Sequence, residues 1–219
     1  MIKAALFDMD GLLFDSERLY SKAVPDIAKQ LGYSMDDSFF IKTLGVSNRE
    51  CRKLYEDAFG ADFPFEKAGE MLFSFVLDFN RRQTMPLKEG ALQCLAALHG
   101  RGMPLVLATS SPRFVVEGLF ASLPTLDALF AGKVCGDEVT VGKPGPEIYQ
   151  KAAALAGFPP AECIGVEDSK SGLRAIRAAG ATSVMIPDLL PYTDALEQYT
   201  DYVLRSLTEL EALIDQING

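Results

Sequence analysis

Short apolar runs that end at an acid, a glycine or a hydroxyl residue recur along this chain. Their length and their apolar composition are typical of strands that are buried on both faces of a sheet. The first of them, KAALF, stops at Asp8. The pattern predicts strands over 3–7, 104–109, 129–134, 162–168, 182–187 and 201–206.

Three stretches between these runs have apolar residues at helical spacing and end at a glycine, as helices often do. They cover residues 88–102, 146–158 and 169–180. Strands that alternate with helices at this spacing form parallel βαβ units. The sequence therefore predicts an α/β protein with a Rossmann-like, doubly wound parallel sheet.

Residues 16–82 do not follow this alternation. The segment begins with Leu19, Ala23, Ile27 and Leu31 at helical spacing, and further helical patterns follow without a clear strand. We expect an all-helical module inserted into the α/β core. The expected core comprises 1–15 and 85–219, and the expected insert comprises 16–84.

Composition limits the partners of the protein. The chain has 219 residues, 48% of them hydrophobic, and 30 acidic against 21 basic residues give a net charge of −9. Such a charge disfavours general binding to nucleic acids or to anionic membranes. The four cysteines show no CxxC spacing, and the amino-terminal apolar run is too short for a secretory signal. We expect a monomeric cytoplasmic protein whose partner is a small molecule.

Polar side chains follow the strands at the edge of the sheet where ligands bind. In an open parallel sheet, ligands bind outside the carboxyl ends of the strands. Three Asp, one Glu, one Lys and a group of hydroxyls are expected to meet there. They belong to Asp8-Met9-Asp10-Gly11, Thr109-Ser110-Ser111, Gly142-Lys143-Pro144 and Glu167-Asp168-Ser169.

These residue types suit phosphoryl transfer. Clustered carboxylates need a cation, and Mg²⁺ prefers hard oxygen ligands and substrate phosphates. A carboxylate such as Asp8 can attack phosphorus, but one pair of like charges at about 4 Å costs roughly 4 kcal/mol at an effective dielectric of about 20. A divalent metal and Lys143 could offset this repulsion. Asp10 could protonate the leaving alcohol and then deprotonate a water.

Four segments of the sequence resemble the motifs of the haloacid dehalogenase superfamily. They are DMDG at 8–11, LVLATSS at 105–111, GKPGPEIY at 142–149 and GVEDSKSG at 165–172. With the helical insert, they are similar to the subfamily that contains β-phosphoglucomutase and many sugar phosphatases. The resemblance implies a Mg²⁺-dependent enzyme with a helical cap, and a Lys143–Pro144 bond that is a candidate for the cis form.

The resemblance also implies catalytic roles for matching positions. Asp8 would be the nucleophile and a Mg²⁺ ligand. Asp10 would be the acid/base and would offer its backbone carbonyl to the metal. Lys143 would neutralise the nucleophile and the phosphate.

The other matching positions would hold the phosphate and the metal. Thr109 and the Ser110 amide would bind phosphate oxygens. Asp168 would ligate Mg²⁺, with Glu167 nearby or acting through a water.

The choice between a phosphatase and a phosphomutase depends on the insert. Known β-phosphoglucomutases carry His where this chain has Tyr20 and Arg where it has Asn48, although Arg49 is adjacent. Both departures favour hydrolysis of a small phosphorylated metabolite. The loop 44–50 is expected to face the site, with Asn48 and Arg49 as candidates for substrate binding.

Two alternatives belong to other functional classes. A receiver domain of a signalling protein also has an aspartate that is phosphorylated on a parallel sheet, but it resembles a single module of about half this length without the insert. A catalytically silent binding protein would have lost a motif residue, and none is lost here.

Overall fold

The computed structural model describes residues 1–219, apart from the side chain of Asp37. Within this described part, six strands form one parallel sheet. The predicted α/β class with a Rossmann-like parallel sheet is confirmed. The strands are β1 Ala4–Phe7, β2 Leu105–Ala108, β3 Gly132–Val134, β4 Cys163–Glu167, β5 Thr182–Met185 and β6 Tyr202–Val203. Their order across the sheet is β3-β2-β1-β4-β5-β6.

The central strands are buried on both faces because helices cover each side of the sheet. Along β1, Leu6 and Phe7 are both fully buried but belong to two different apolar clusters. Val106 and Leu107 of β2 divide in the same way. Successive side chains of a strand point to opposite faces, so an apolar run without alternation fits a sheet covered twice.

Helices pack around the sheet and form the insert that follows β1. Those of the insert are α1 Glu17–Gln30, α2 Asp37–Thr43, α3 Asn48–Phe59 and α4 Phe65–Arg82. The core helices are α5 Ala91–Gly100, α6 Arg113–Phe120, α7 Pro124–Asp127, α8 Glu147–Ala156, α9 Lys170–Ala179 and α10 Leu210–Asn218. The predicted helical cap is confirmed.

The cap is anchored to the core at the end of α4. Asn80 is buried, and its amide donates hydrogen bonds to the Gly118 carbonyl at 2.9 Å and to the Ser122 hydroxyl at 3.1 Å. Its side-chain oxygen accepts from the backbone N–H of Met85 at 2.8 Å. A Cβ at Gly118 would lie 2.3 Å from a methyl of Leu77, so this close contact between α4 and α6 requires a glycine.

The described residues offer neither a membrane-spanning helix nor a disulfide. We find no helix among them with the length and apolarity that crossing a bilayer requires. Cys51, Cys94, Cys135 and Cys163 are free thiols.

Candidate active site

The carboxyl ends of four neighbouring strands bring the predicted site residues to one cavity. Asp8 and Asp10 follow β1, Thr109 and Ser110 follow β2, and Asp168 follows β4. With Lys143 from the loop before α8, they line a cavity of about 290 Å³ between the core and the cap.

Lys143 is the central cation of the site. Its ammonium group donates hydrogen bonds of 2.6 Å to Asp8 Oδ1 and to Glu167 Oε1. Burial by itself lowers the pKa of Lys143, but the two carboxylates outweigh it and raise that pKa. Lys143 therefore stays charged beside Asp8. The Lys143–Pro144 bond is cis, as the sequence resemblance suggested.

Glu167 holds Lys143 from beneath the cavity. Its side chain is fully buried, and its Oε1 also accepts from the Tyr149 hydroxyl at 2.8 Å. Its Oε2 accepts from the backbone N–H and the hydroxyl of Ser169, at 3.1 and 2.8 Å. A Cβ at Gly172 would lie 1.7 Å from the Glu167 carboxylate, so the first turn of α9 must have a glycine there.

Negative charge is in excess around this single lysine. Burial, followed by the charge of Glu167, raises the pKa of Asp8 to about 7 against the opposing effect of Lys143. Burial and the same neighbour raise the pKa of Asp168 well above its usual value. Burial and the charge of Asp10 raise the pKa of Glu17 to about 8. A bound cation would favour the ionised forms, because an opposite charge close by lowers the pKa of an acid.

The donor set fits a hard divalent cation. Asp8, Glu167 and Asp168 each offer a carboxylate oxygen, and these atoms lie within 4.8 Å of one another. Asp168 accepts no side-chain hydrogen bond from the described residues, whereas both oxygens of Glu167 are already bonded. Gly11 has φ of 75°, and a Cβ there would lie 2.2 Å from Asp168 Oδ2, so a glycine makes room for this carboxylate.

Three hydroxyl groups hold the carboxylate of Asp10. Ser16 and Tyr20 donate to Oδ1 at 2.8 and 2.6 Å, and Ser111 donates to Oδ2 at 2.8 Å. Ser16 and Tyr20 lie at the start of α1, and Ser111 lies just before α6. The orientation of Asp10 therefore depends on contacts from both the cap side and the core side.

The hydroxyl cluster and the cap loop complete the cavity. The Thr109 hydroxyl is buried and accepts from the backbone N–H of Ser111 at 3.1 Å, while Ser110 is exposed to the cavity. The backbone N–H of Ser171 donates to the carbonyl of Gly45 at 3.1 Å, which ties the cap loop to α9. That loop forms part of the roof of the cavity.

The two cap candidates occupy different places. Asn48 lines an adjoining cleft of about 490 Å³ together with Ser110 and Lys143. Arg49 is exposed on α3 and is absent from the described linings of the cavity and the cleft.

Sequence reasoning did not assign roles to several residues in contact with the site. They are Ser16, Glu17, Ser111 and Tyr149. The sequence comparison treats Tyr20 only as the residue that stands in place of a His. Ser16 and Tyr20 are four residues apart, which places them on one side of a helix that begins beside Asp10. This spacing is the feature of the sequence that indicates a shared contact of Ser16 and Tyr20 with Asp10.

Known proteins resemble most of the chain. A probable pseudouridine-5'-phosphatase of Drosophila melanogaster is 35% identical over 84% of this chain and 80% of its own length. Hexitol phosphatase B of Escherichia coli K12 is 30% identical over 96% of this chain and 95% of its own. The structure of CbbY from Rhodobacter sphaeroides in complex with phosphate matches with a TM-score of 0.80 at 25% identity, covering 96% of each chain.

A family model covers most of the catalytic core and the entire cap. The model for haloacid dehalogenase-like hydrolases matches residues 2–180, which include all four motifs and the cavity that they form. The predicted resemblance and the prediction of a hydrolytic enzyme are confirmed. The chain belongs to the haloacid dehalogenase-like hydrolase family.

Proposed function

We propose that this protein is a Mg²⁺-dependent phosphatase that hydrolyses a small phosphorylated metabolite, a sugar phosphate or related phosphomonoester, through an aspartyl-phosphate. One observation supports this most strongly. The carboxylate of Asp8 is held at 2.6 Å by a buried lysine, and it lines the same cavity as Asp10, Thr109 and Asp168.

In the first half-reaction, an Asp8 oxygen attacks phosphorus and the bond to the leaving alcohol breaks. Asp10 gives its proton to the departing oxygen. The Thr109 hydroxyl and the Ser110 amide bind phosphoryl oxygens, and Lys143 offsets their charge. Mg²⁺, held by Asp8, Asp168 and the Asp10 carbonyl with Glu167 nearby, would supply further positive charge.

In the second half-reaction, Asp10 takes a proton from water. The resulting hydroxide attacks the phosphorus of the aspartyl-phosphate, inorganic phosphate leaves, and the Asp8 carboxylate is restored. Residues 16–84 act as the cap that covers the site during both steps, which is consistent with their contribution to the cavity roof. The names of the Drosophila and Escherichia coli relatives, both phosphatases, agree with this chemistry.

The charges of the site support hydrolysis over phosphomutation. Among the described residues that line the cavity and the adjoining cleft, Lys143 is the one cationic side chain. A mutase must bind a bisphosphate intermediate, and its second phosphate would need a further cation. Asn48 lines the cleft without supplying that charge.

Metal removal tests the proposal directly. Purified protein is expected to release inorganic phosphate from p-nitrophenyl phosphate with Mg²⁺, to lose at least about 99% of that rate with excess chelator, and to recover when Mg²⁺ is restored. Undiminished turnover in chelator would contradict the proposed metal role. A stable phosphoprotein without phosphate release would indicate a receiver instead. Isomerisation of a hexose phosphate in the presence of a bisphosphate primer would indicate a mutase.

A second prediction concerns the hydroxyls that hold Asp10. Tyr20→Phe removes one donor without changing the ring, so we expect kcat for an alkyl phosphate to fall about tenfold, since general acid catalysis contributes about 10²–10⁴-fold in all. The fall should be smaller for p-nitrophenyl phosphate, whose leaving group needs little protonation. Steady-state kinetics on both esters give the comparison, with Tyr33→Phe, outside the cavity lining, as the control. Equal losses for both esters would argue against a role through Asp10.

A further inference from the structure

We propose that the leaving alcohol of the substrate carries a flat ring, as in a nucleoside 5'-monophosphate, which enters an apolar lobe of the cap. This inference rests on the proposed phosphatase function. It narrows the substrate to one class of phosphomonoester and disfavours open-chain polyol phosphates.

The cap side of the active-site cavity is largely apolar. Opposite the carboxylates, the wall is formed by aliphatic and aromatic side chains of the cap. They are Val24, Phe40, Leu44, Val46, Tyr55 and Leu72. A group that leaves water for this wall gains most if it presents an apolar face.

A second cavity extends this wall into the interior of the cap. It has a volume of about 120 Å³ and lies between α1, α3 and α4. The two cavities share Val24, Cys51, Tyr55 and Leu72 as wall residues, so they adjoin each other. An apolar cavity on the order of 150 Å³ in another protein binds benzene, and the lobe, at about 120 Å³, is of comparable size.

The aromatic lining of the lobe suits a flat ligand. Tyr55 packs against Phe63 and Phe65, with ring centroids 4.8 and 5.4 Å away, and all three line the lobe. Aromatic rings prefer offset-stacked or edge-to-face contacts with other rings, and such pairs stabilise beyond the burial of their area.

The Tyr55 hydroxyl provides a polar anchor. The residue is 7% exposed and lines both cavities. Burial raises the pKa of this phenol, which therefore stays protonated, and its hydroxyl makes no hydrogen bond to the described residues. The oxygen is not among the buried atoms that lack a partner, so it is open to the cavity and can bind a heteroatom at the edge of a ring in place of water.

Three hydroxyls of the cavity already donate their proton to protein groups, so they can only accept from a substrate. Tyr20 donates to Asp10, Thr43 donates to the Phe40 carbonyl at 2.7 Å, and Ser169 donates to Glu167. Glu17 and Ser171 also line the cavity and can meet the two hydroxyls of a ribose. A hexitol would bury further hydroxyls against apolar walls without partners.

Four esters of primary alcohols test the preference with Mg²⁺ present. Benzyl phosphate and uridine 5'-monophosphate carry a ring, whereas ethyl phosphate and sorbitol 6-phosphate do not. We expect kcat/KM of the better ring ester to exceed that of the better ringless ester by about tenfold or more, the discrimination typical of an apolar pocket. A smaller ratio, with turnover intact, would overturn the ring inference and leave the phosphatase proposal standing.

Binding measurements test the same preference for a ring without turnover. The Asp8→Asn protein with Mg²⁺ can be titrated calorimetrically with the same four esters. We expect the better ring ester to bind at least about tenfold more tightly than the better ringless ester. Similar affinities would overturn the inference even if the phosphatase proposal had failed on other grounds.

Two cavity variants locate the binding site of the ring. Ala68→Leu places a larger side chain in the lobe, so the ratio of kcat/KM for benzyl phosphate over ethyl phosphate should fall at least about fivefold. Ala58→Leu is the matched control, since Ala58 is exposed on α3 and outside both linings, and it should keep the wild-type ratio. Tyr55→Phe should lower the preference for uridine monophosphate over benzyl phosphate about tenfold. Unchanged ratios in both cavity variants would place the ring elsewhere and overturn the inference.

Discussion

Replacing Asp8 with asparagine should abolish turnover while the fold survives. The amide keeps the size and the shape of the side chain but cannot form the bond to phosphorus. Loss of the nucleophile should therefore lower kcat by about four orders of magnitude or more. Phosphate release from p-nitrophenyl phosphate, followed over hours at high enzyme concentration, measures the residual rate.

The stability of Asp8→Asn separates chemistry from folding. Burial, followed by the charge of Glu167, raises the pKa of Asp8 to about 7, so a neutral amide removes the cost of a buried charge rather than a net attraction. Lys143 keeps its 2.6 Å bond to Glu167. We expect the urea midpoint to equal or exceed that of the wild type. Asp26→Asn, the same change at an exposed position of α1, is the control and should retain activity. An active Asp8→Asn enzyme would remove Asp8 from the mechanism.

The sheet and the core of the site could be predicted because they depend on local patterns. The apolar run before Asp8 is short, bounded and buried on both faces, so its hydrophobicity alone indicates a central strand. A parallel sheet then brings all carboxyl ends to one edge, which is why residues far apart in the chain, such as Asp8 and Lys143, could be placed together.

The contacts that orient the site depend on side-chain geometry that no periodicity encodes. The loops after β2 and β3 set two of these contacts. They bring Ser111 to Asp10 and Tyr149 to Glu167. The candidates in the cap show the same limit. Asn48 lines the cleft that adjoins the site, whereas its neighbour Arg49 lies outside that cleft, because successive residues of a helix point in different directions.

Lys143→Met should cost both activity and stability. The lysine is buried with Asp8 and Glu167, each at 2.6 Å, and methionine would leave two buried carboxylates without their partner. Removal of one member of a buried ion pair typically costs about 3–5 kcal/mol, and we expect a loss of free energy of unfolding in that range. The rate should fall about 10³-fold, since a buried cation no longer offsets the charge of the phosphate. Urea denaturation in chelator measures the first effect, and phosphate release with Mg²⁺ measures the second.

Mg²⁺ should reverse part of the stability loss of Lys143→Met. A ligand that binds the folded state stabilises it by about 2.7 kcal/mol at a hundred times its Kd, and a variant with less positive charge beside Asp8, Glu167 and Asp168 should bind the cation more tightly. The shift of the urea midpoint on adding Mg²⁺ should therefore be larger in Lys143→Met than in the wild type. Lys151→Met is the control. It removes a half-exposed lysine from its ion pair with Glu147, a pair that stabilises by about 0.5 kcal/mol or less. The Mg²⁺ shift of this variant should match that of the wild type. Equal Mg²⁺ shifts in all three proteins would mean that these carboxylates do not share one cation with Lys143, and the electrostatic basis of the proposed mechanism would fail.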